Sequence, residues 1–271
     1  VFVSTGDSVE YHASLFTTCQ KALGFGKSPV NVYKLHGSMS REERALNLTG
    51  FASNDGGRII LFATDVAARG LNLTNSVSGT PVELIIQYDS PSDRVDYVHR
   101  AGRSARCLAR GKSLLMLMES EAEYVKFLKE KMQMDIQVLT YKERDKVGLW
   151  LKNLTIRIKQ DKDLIIKAKR AYQSAIRGYA THPADEKHIF HVKRLHLGHY
   201  ASAFGLEEAG SANIPGNNNQ NVASDKKSSG KAQSAKPQSS IEQNSKKRPI
   251  QGSKGPEPKK KRIQVSEFSA C

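Results

Sequence analysis

The sequence predicts an open α/β domain with a parallel sheet covered on both faces, then a helical extension and a basic tail. Apolar runs of strand length alternate with segments of helical period up to about residue 140. The runs are apolar on both faces, as strands are when helices cover each side of a parallel sheet. The composition then changes twice, first to a long helix-period stretch and, after Gly210, to Asn, Ser, Gln, Lys, Gly and Pro.

Taken in order, "VFVS" (1–4) reads as a buried strand, followed by a helix in which Val9, Ala13 and Phe16 share a face. "VNVYKLHG" (30–37) is the second strand, and Ser40 with Glu43 forms the capping box that starts the next helix. "RIILFAT" (58–64), "ELIIQYD" (83–89) and "KSLLMLM" (112–118) are further strands, and "DRVDYVHRAG" between the last two is helical. From about 145 to 182, Ile165, Ala168, Tyr172, Ala175, Ile176 and Tyr179 recur at the spacing of one long helix. A shorter helical unit, Asp185 to Leu206, is expected to dock on it. The domain boundaries read as 1–142, 143–208 and 209–271. The last part is expected to be disordered, because its apolar surface is too small to offset ordering entropy.

The chain has 271 residues and a formal net charge of +15. Of its charged residues, 12 basic and 4 acidic lie from Ser211 onward, so both parts are basic and a polyanionic partner is favoured. No apolar run approaches 18 residues, so no membrane span is expected. Cys19, Cys107 and Cys271 are too scattered for a disulfide framework or a metal pair, which favours a reducing compartment. "VFVST" opens directly on a strand and reads as part of something longer.

"YVHRAGRSAR" (97–106) sets Arg100, Arg103 and Arg106 at three-residue spacing. Three readings are open: a solvated helix face, pairing with Asp93 and Asp96, or an external anion such as phosphate. The chain has no phosphate loop of its own for that anion. Gly26-Lys27-Ser28 is only the tail of G-x-x-x-x-G-K-[ST], because position 21 is Lys and Pro29 follows.

The order "VFVST", "HGSMSREER", "ATDVAARGLN", "QYDSP", "YVHRAGRSAR" over residues 1 to 140 resembles the C-terminal RecA-like domain of the DEAD-box RNA helicases. "AYQSAIRGYATHP" and "KHIFHVKRLHLGHYASAFGL" resemble the C-terminal extension of members that act in ribosome assembly, the large-subunit, nucleolar branch. The resemblance implies an open RecA-like sheet and an ATP site between two such domains. The phosphate loop, the Asp-Glu-Ala-Asp carboxylates and most of the Mg2+ grip would belong to the other domain. It implies that Arg103 and Arg106 act on the γ-phosphate as arginine fingers, and that His99 and Arg100 hold the closed interface. Gly70 would permit close backbone approach and Asn72 would face the ribose. Thr5, Arg44 and Thr64 would touch the RNA backbone, so binding should be sequence-independent and salt-sensitive. Strand-end capping is the alternative for Thr5 and Thr64.

Two positions depart from the family pattern. Asn72 stands where aspartate is usual, which implies weaker nucleotide affinity. Arg41 stands where glutamine is usual, which adds positive charge beside the expected RNA path.

The histidines of the extension (His182, His188, His191, His196, His199) lack the partners of a zinc set, so packing or RNA-facing roles are favoured. Lys162 with Lys169, and Arg170 with Arg177, make basic stripes suited to further RNA contact. In the tail, "KKRP" (246–249) and "KKKR" (259–262) fit a bipartite signal for a nuclear import receptor. The resemblance thus implies an ATP-dependent RNA helicase acting on pre-ribosomal particles in the nucleus and nucleolus, of which this chain is one half. A non-enzymatic RNA-binding scaffold and a DNA helicase of the same superfamily are the alternatives.

Overall fold

The computed structural model describes residues 1–25, 29–53, 57–69, 82–104, 111–140, 144–207 and 261–268. The helices are α1 (Gly6–Thr18), α2 (Arg41–Ala52), α3 (Asp65–Ala68), α4 (Arg94–Ala101), α5 (Glu123–Met132), α6 (Arg144–Gln160), α7 (Lys162–Tyr179) and α8 (Leu197–Ala203). The strands are β1 (Val30–Leu35), β2 (Arg58–Ala63), β3 (Leu84–Gln87), β4 (Gly111–Met118), β5 (Gln137–Thr140) and β6 (Lys261–Phe268). Strands β1 and β2 pair in parallel, as do β3 and β4. Phe2 bridges in parallel to Ala63 of β2 and Gln87 of β3, so the opening segment is the middle of the sheet.

Alternation along the strands divides the core between two faces. Phe2, Leu61 and Ala63 pack with Phe51, Ala67 and Ala68 on one face. Val3 and Phe62, their immediate neighbours, pack with Val9 and Ala13 of α1 on the other. The two-faced apolar runs of the sequence therefore mean what they suggested. Ser40 accepts from the N–H of Glu43 at 3.1 Å and starts α2 as expected.

The long helix expected over 145–182 is two helices. Asp161 interrupts it by accepting from the N–H groups of Asp163 and Leu164, both at 3.0 Å, which caps α7 as a new helix. The break lets α6 and α7 bury separate stripes, Leu154 and Ile158 from one and Leu164, Ala168, Tyr172 and Ile176 from the other. These side chains share one cluster with Tyr11, Tyr97, Leu117 and Tyr124 of the α/β part. The extension is therefore built on the same core as the sheet. At its far end Gly205, with φ of +70°, turns the chain after α8, and Tyr11 donates to the carbonyl of Phe204 at 2.8 Å.

A second correction concerns the tail. Within 209–271, which the composition marks as disordered, Lys261–Phe268 forms β6, antiparallel to both β4 and β5. It fills the gap between them in the order β3-β4-β6-β5. A strand whose backbone groups are paired on both sides gains what its apolar content alone does not supply.

Candidate functional site

Parallel strands end together, so the loops at their carboxyl ends collect along one edge of the sheet, where ligands of open α/β folds bind. Here that edge carries Ser4–Thr5, His36–Ser40, Thr64–Asp65 and Tyr88–Asp89. The amide of Thr64 donates to the carbonyl of Leu35 at 3.1 Å and stitches two of these loops together.

The arginine helix stands above them. Asp93 caps α4 by accepting from the N–H of Asp96 at 2.8 Å. Arg100, on its last turn, is buried at 1 % exposure. Its Nε and Nη2 donate to the two carboxylate oxygens of Asp65, each at 2.6 Å, and its Nη1 donates to the carbonyl of Asp89 at 2.8 Å. The guanidinium also lies over the Phe2 ring, 5.3 Å from the centroid. Arg100 was expected at the interdomain face. Its fork is instead consumed inside the domain, fastening α4 to the loops after β2 and β3.

Arg69 pairs with Asp96 through a bond of 2.6 Å. Asp93 and Asp96, candidate partners for the arginine triplet, are thus used as a helix cap and as the partner of Arg69. Phe2, Asp65, Ala68, Arg69, Asp96, His99, Arg100 and Arg103 line a shallow open depression. His99 is exposed and Arg103 half-buried, and Arg103 donates its Nε–H to the carbonyl of His99 at 3.2 Å. Because both carboxylates of this depression are already paired with arginines, the described residues suit an anion and offer no carboxylate to a divalent cation. Gly70, Asn72 and Arg106 lie outside the described residues, as does Gly26-Lys27-Ser28.

The residues expected to meet RNA are found on the same edge. Thr5 caps α1, accepting from the N–H of Ser8 at 3.2 Å, and its hydroxyl lies 2.9 Å from those of Ser8 and of Ser174 in α7. Capping thus accounts for Thr5. Thr64 precedes α3 without a side-chain cap bond, and its residue is buried. Arg44 sits one turn into α2 with its Nε buried and unbonded, and Arg41 is exposed at that helix's first residue.

The segment after α7 packs beneath the loop that leads into α4. Glu186 is fully buried, and neither carboxylate oxygen has a hydrogen-bond partner. Burial, reinforced by Asp185, pushes its pKa up to about 7. An unfolded chain ionises this carboxyl near 4.5 while the folded protein keeps the proton to about 7, so its contribution to stability is full below pH 4.5 and lost by about pH 7. Thermal melts from pH 5 to 8 should lose up to about 3 kcal/mol from this group. Glu186→Gln, which mimics the protonated acid, should flatten that part of the slope and be the more stable protein at pH 8. An unchanged slope would assign the pH dependence elsewhere.

Residues 65, 89, 174 and 186 carry much of this architecture and were assigned no role from the sequence, while His182, for which packing was one of the favoured roles, is buried. Asp65 and Asp89 were inside recognised motifs, but nothing local shows which arginine they hold. Glu186 gives no sequence signal at all.

The comparisons with known proteins agree with this geometry. Residues 1–108 match the helicase conserved C-terminal domain, and 161–209 match the C-terminal extension of the ATP-dependent rRNA helicase SPB4-like family. The "ATP-dependent RNA helicase dbp7" of Schizosaccharomyces pombe is 34 % identical over 252 residues, covering 77 % of this chain and 34 % of that protein. The human "ATP-dependent DNA helicase DDX31" is 37 % identical over 246 residues, covering 77 % of this chain and 28 % of that protein. The chain spans about a third of the length of the curated relatives it matches. Among solved structures, "Mss116p DEAD-box helicase domain 2 bound to an RNA duplex" has a TM-score of 0.56 at 20 % identity, covering 77 % of this chain and 73 % of that one. That likeness shows the fold, the RecA-like domain. The chain belongs to the DEAD-box RNA helicase family, of which it carries the second RecA-like domain and the C-terminal extension.

Proposed function

We propose that this chain supplies one wall of the ATP site in an ATP-dependent RNA helicase that remodels pre-ribosomal RNA during large-subunit assembly. The observation that carries the reading is the depression at the sheet edge. Its acids are neutralised internally, and His99 and Arg103 line it. A wall of that kind suits triphosphate oxygens delivered by another domain, because charge spreading over them in the transition state is met by guanidinium groups already in place. Arg103 and Arg106 would be the catalytic residues, with Mg2+ held by carboxylates of the partner domain. Arg41, Arg44 and Thr64 would meet the sugar-phosphate backbone of one RNA strand, with the exposed Lys169, Arg170 and Arg177 of α7 extending the basic surface.

The ribosomal step is supported by the extension match, whose family is described as that of an rRNA helicase. Work in the nucleus and nucleolus follows from that step, and the basic clusters within 246–262 suit a nuclear import receptor. Lys261 and Arg262 of the second cluster are also the first residues of β6. DNA is the second reading, favoured by the name of the human relative.

ATP hydrolysis by the intact protein decides among these readings. RNA duplexes are expected to stimulate it strongly and DNA weakly, while residues 1–271 alone turn over no ATP. Equal stimulation by DNA would favour the second reading. RNA binding without hydrolysis by the intact protein would make it a scaffold, and turnover by residues 1–271 alone would overturn the half-site proposal.

A further inference from the structure

The helical extension reaches the site edge through the end of α7. Ser174 meets Thr5 there, and Gly178 lies so close that a Cβ on it would stand 3.3 Å from the Thr5 methyl. One turn further, His182 is buried and stacked on Phe190, ring centroids 4.3 Å apart. Its Nδ1 lies 2.8 Å from the carbonyl oxygen of Tyr179, and its Nε2 lies 3.1 Å from that of Pro91 and 3.3 Å from the hydroxyl of Ser90. One imidazole therefore ties the last turn of α7 to the three-residue loop Asp89–Pro91.

That loop is held on two other sides. Ser4 donates its amide and its hydroxyl to the Asp89 carboxylate at 2.8 and 2.9 Å, and the Asp89 carbonyl accepts from Arg100. Only two residues separate Pro91 from the first residue of α4. Arg94 of α4 also reaches back to Asp185 at 3.2 Å, an exposed pair that contributes little by itself. Because α4 is short, a shift of its N-terminal loop moves Arg103 by a similar amount.

We propose that His182 is a positioning residue for the arginine helix: the extension fixes the 89–91 loop through this ring, and the loop sets where Arg103 stands. The proposal deepens the nucleotide-facing reading of Arg103 and rests on it for its effect on turnover. The ring has two separable jobs, packing on Phe190 and linking α7 to the loop, one nitrogen donating to the Tyr179 carbonyl while the other accepts from the Ser90 hydroxyl. Two variants of the intact protein divide them. His182→Phe keeps the stacked ring and loses the polar bridge, whereas His182→Gln loses the ring and keeps an amide that can donate and accept.

His182→Phe is expected to lower RNA-stimulated kcat by roughly 10-fold, the scale of a sub-ångström misplacement, with KM for ATP and RNA affinity held within about 2-fold. Amide exchange in residues 94–104 should quicken by about 10-fold while exchange in β1 and β2 stays as in the parent. His182→Gln should recover most of both. If His182→Phe keeps the parent's exchange pattern in 94–104, or if His182→Gln is as impaired as His182→Phe, the ring is only packing and the proposal fails. An intact protein without RNA-stimulated turnover would sink the functional reading alone, since exchange still decides whether His182 sets the arginine helix.

Discussion

Arg103→Ala in the intact protein is expected to cut RNA-stimulated ATP turnover by roughly 10³-fold, with the fold and the RNA affinity kept. The loss is large because a guanidinium at a water-poor interface stabilises charge that develops only in the transition state, a contribution that solvent replaces badly. Arg103 is suited to that place. Its neighbour Arg100 is saturated by Asp65 and Asp89, whereas Arg103 stands half-buried at the rim with its Nε on a backbone carbonyl. Arg103→Lys should recover little, since one ammonium cannot present a planar fork. Single-turnover hydrolysis with ATP and RNA both saturating separates this from weaker binding. A variant within about 3-fold of the parent would remove Arg103 from the chemistry.

Arg100→Met should instead act on stability, lowering it by about 3–5 kcal/mol. The side chain is of similar length and fills much of the same space, so the cost is chiefly electrostatic. Asp65 is left as a largely buried carboxylate without its fork, and the carbonyl of Asp89 loses its donor. A loss of that size corresponds to a fall in Tm of roughly 10 °C for a domain of this length. Urea unfolding of residues 1–271 measures it directly. A second variant, Asp65→Asn, should show a loss of similar origin, because it takes the charge from the other end of the pair. Were both variants within about 1 kcal/mol of the parent, the pair would not be what fastens α4 to the sheet edge.

These two arginines lie three residues apart, and their spacing alone leaves a solvated face, pairing with acids and an external anion equally open to both; packing separates them. Helix α4 ends at Ala101, so Arg100 on its last turn drops onto Asp65 and Phe2 while Arg103, past the helix end, turns its Nε onto the carbonyl of His99. Thr5 and Thr64 divide likewise, both being expected either at RNA or at strand ends. The Thr5 hydroxyl is taken by Ser8 and Ser174, and the Thr64 side chain makes no cap bond.

The sequence by itself determined the alternation of strands and helices, the two apolar faces of the sheet and the start of α2. It also determined the order of the motifs, because each is written in local chemistry: period, capping residue and composition. The tertiary structure alone decided that Asp161 divides the long helix and that Lys261–Phe268 completes the sheet. It alone showed that Asp65 holds Arg100, and that His182 and Glu186 lie buried beneath the arginine helix. The Asp161 cap is made within three residues, though an aspartate inside a helical period does not show that the helix stops there. Each of the others depends on a partner tens of residues or more away or on burial by a distant element, which leaves no mark in the neighbouring residues.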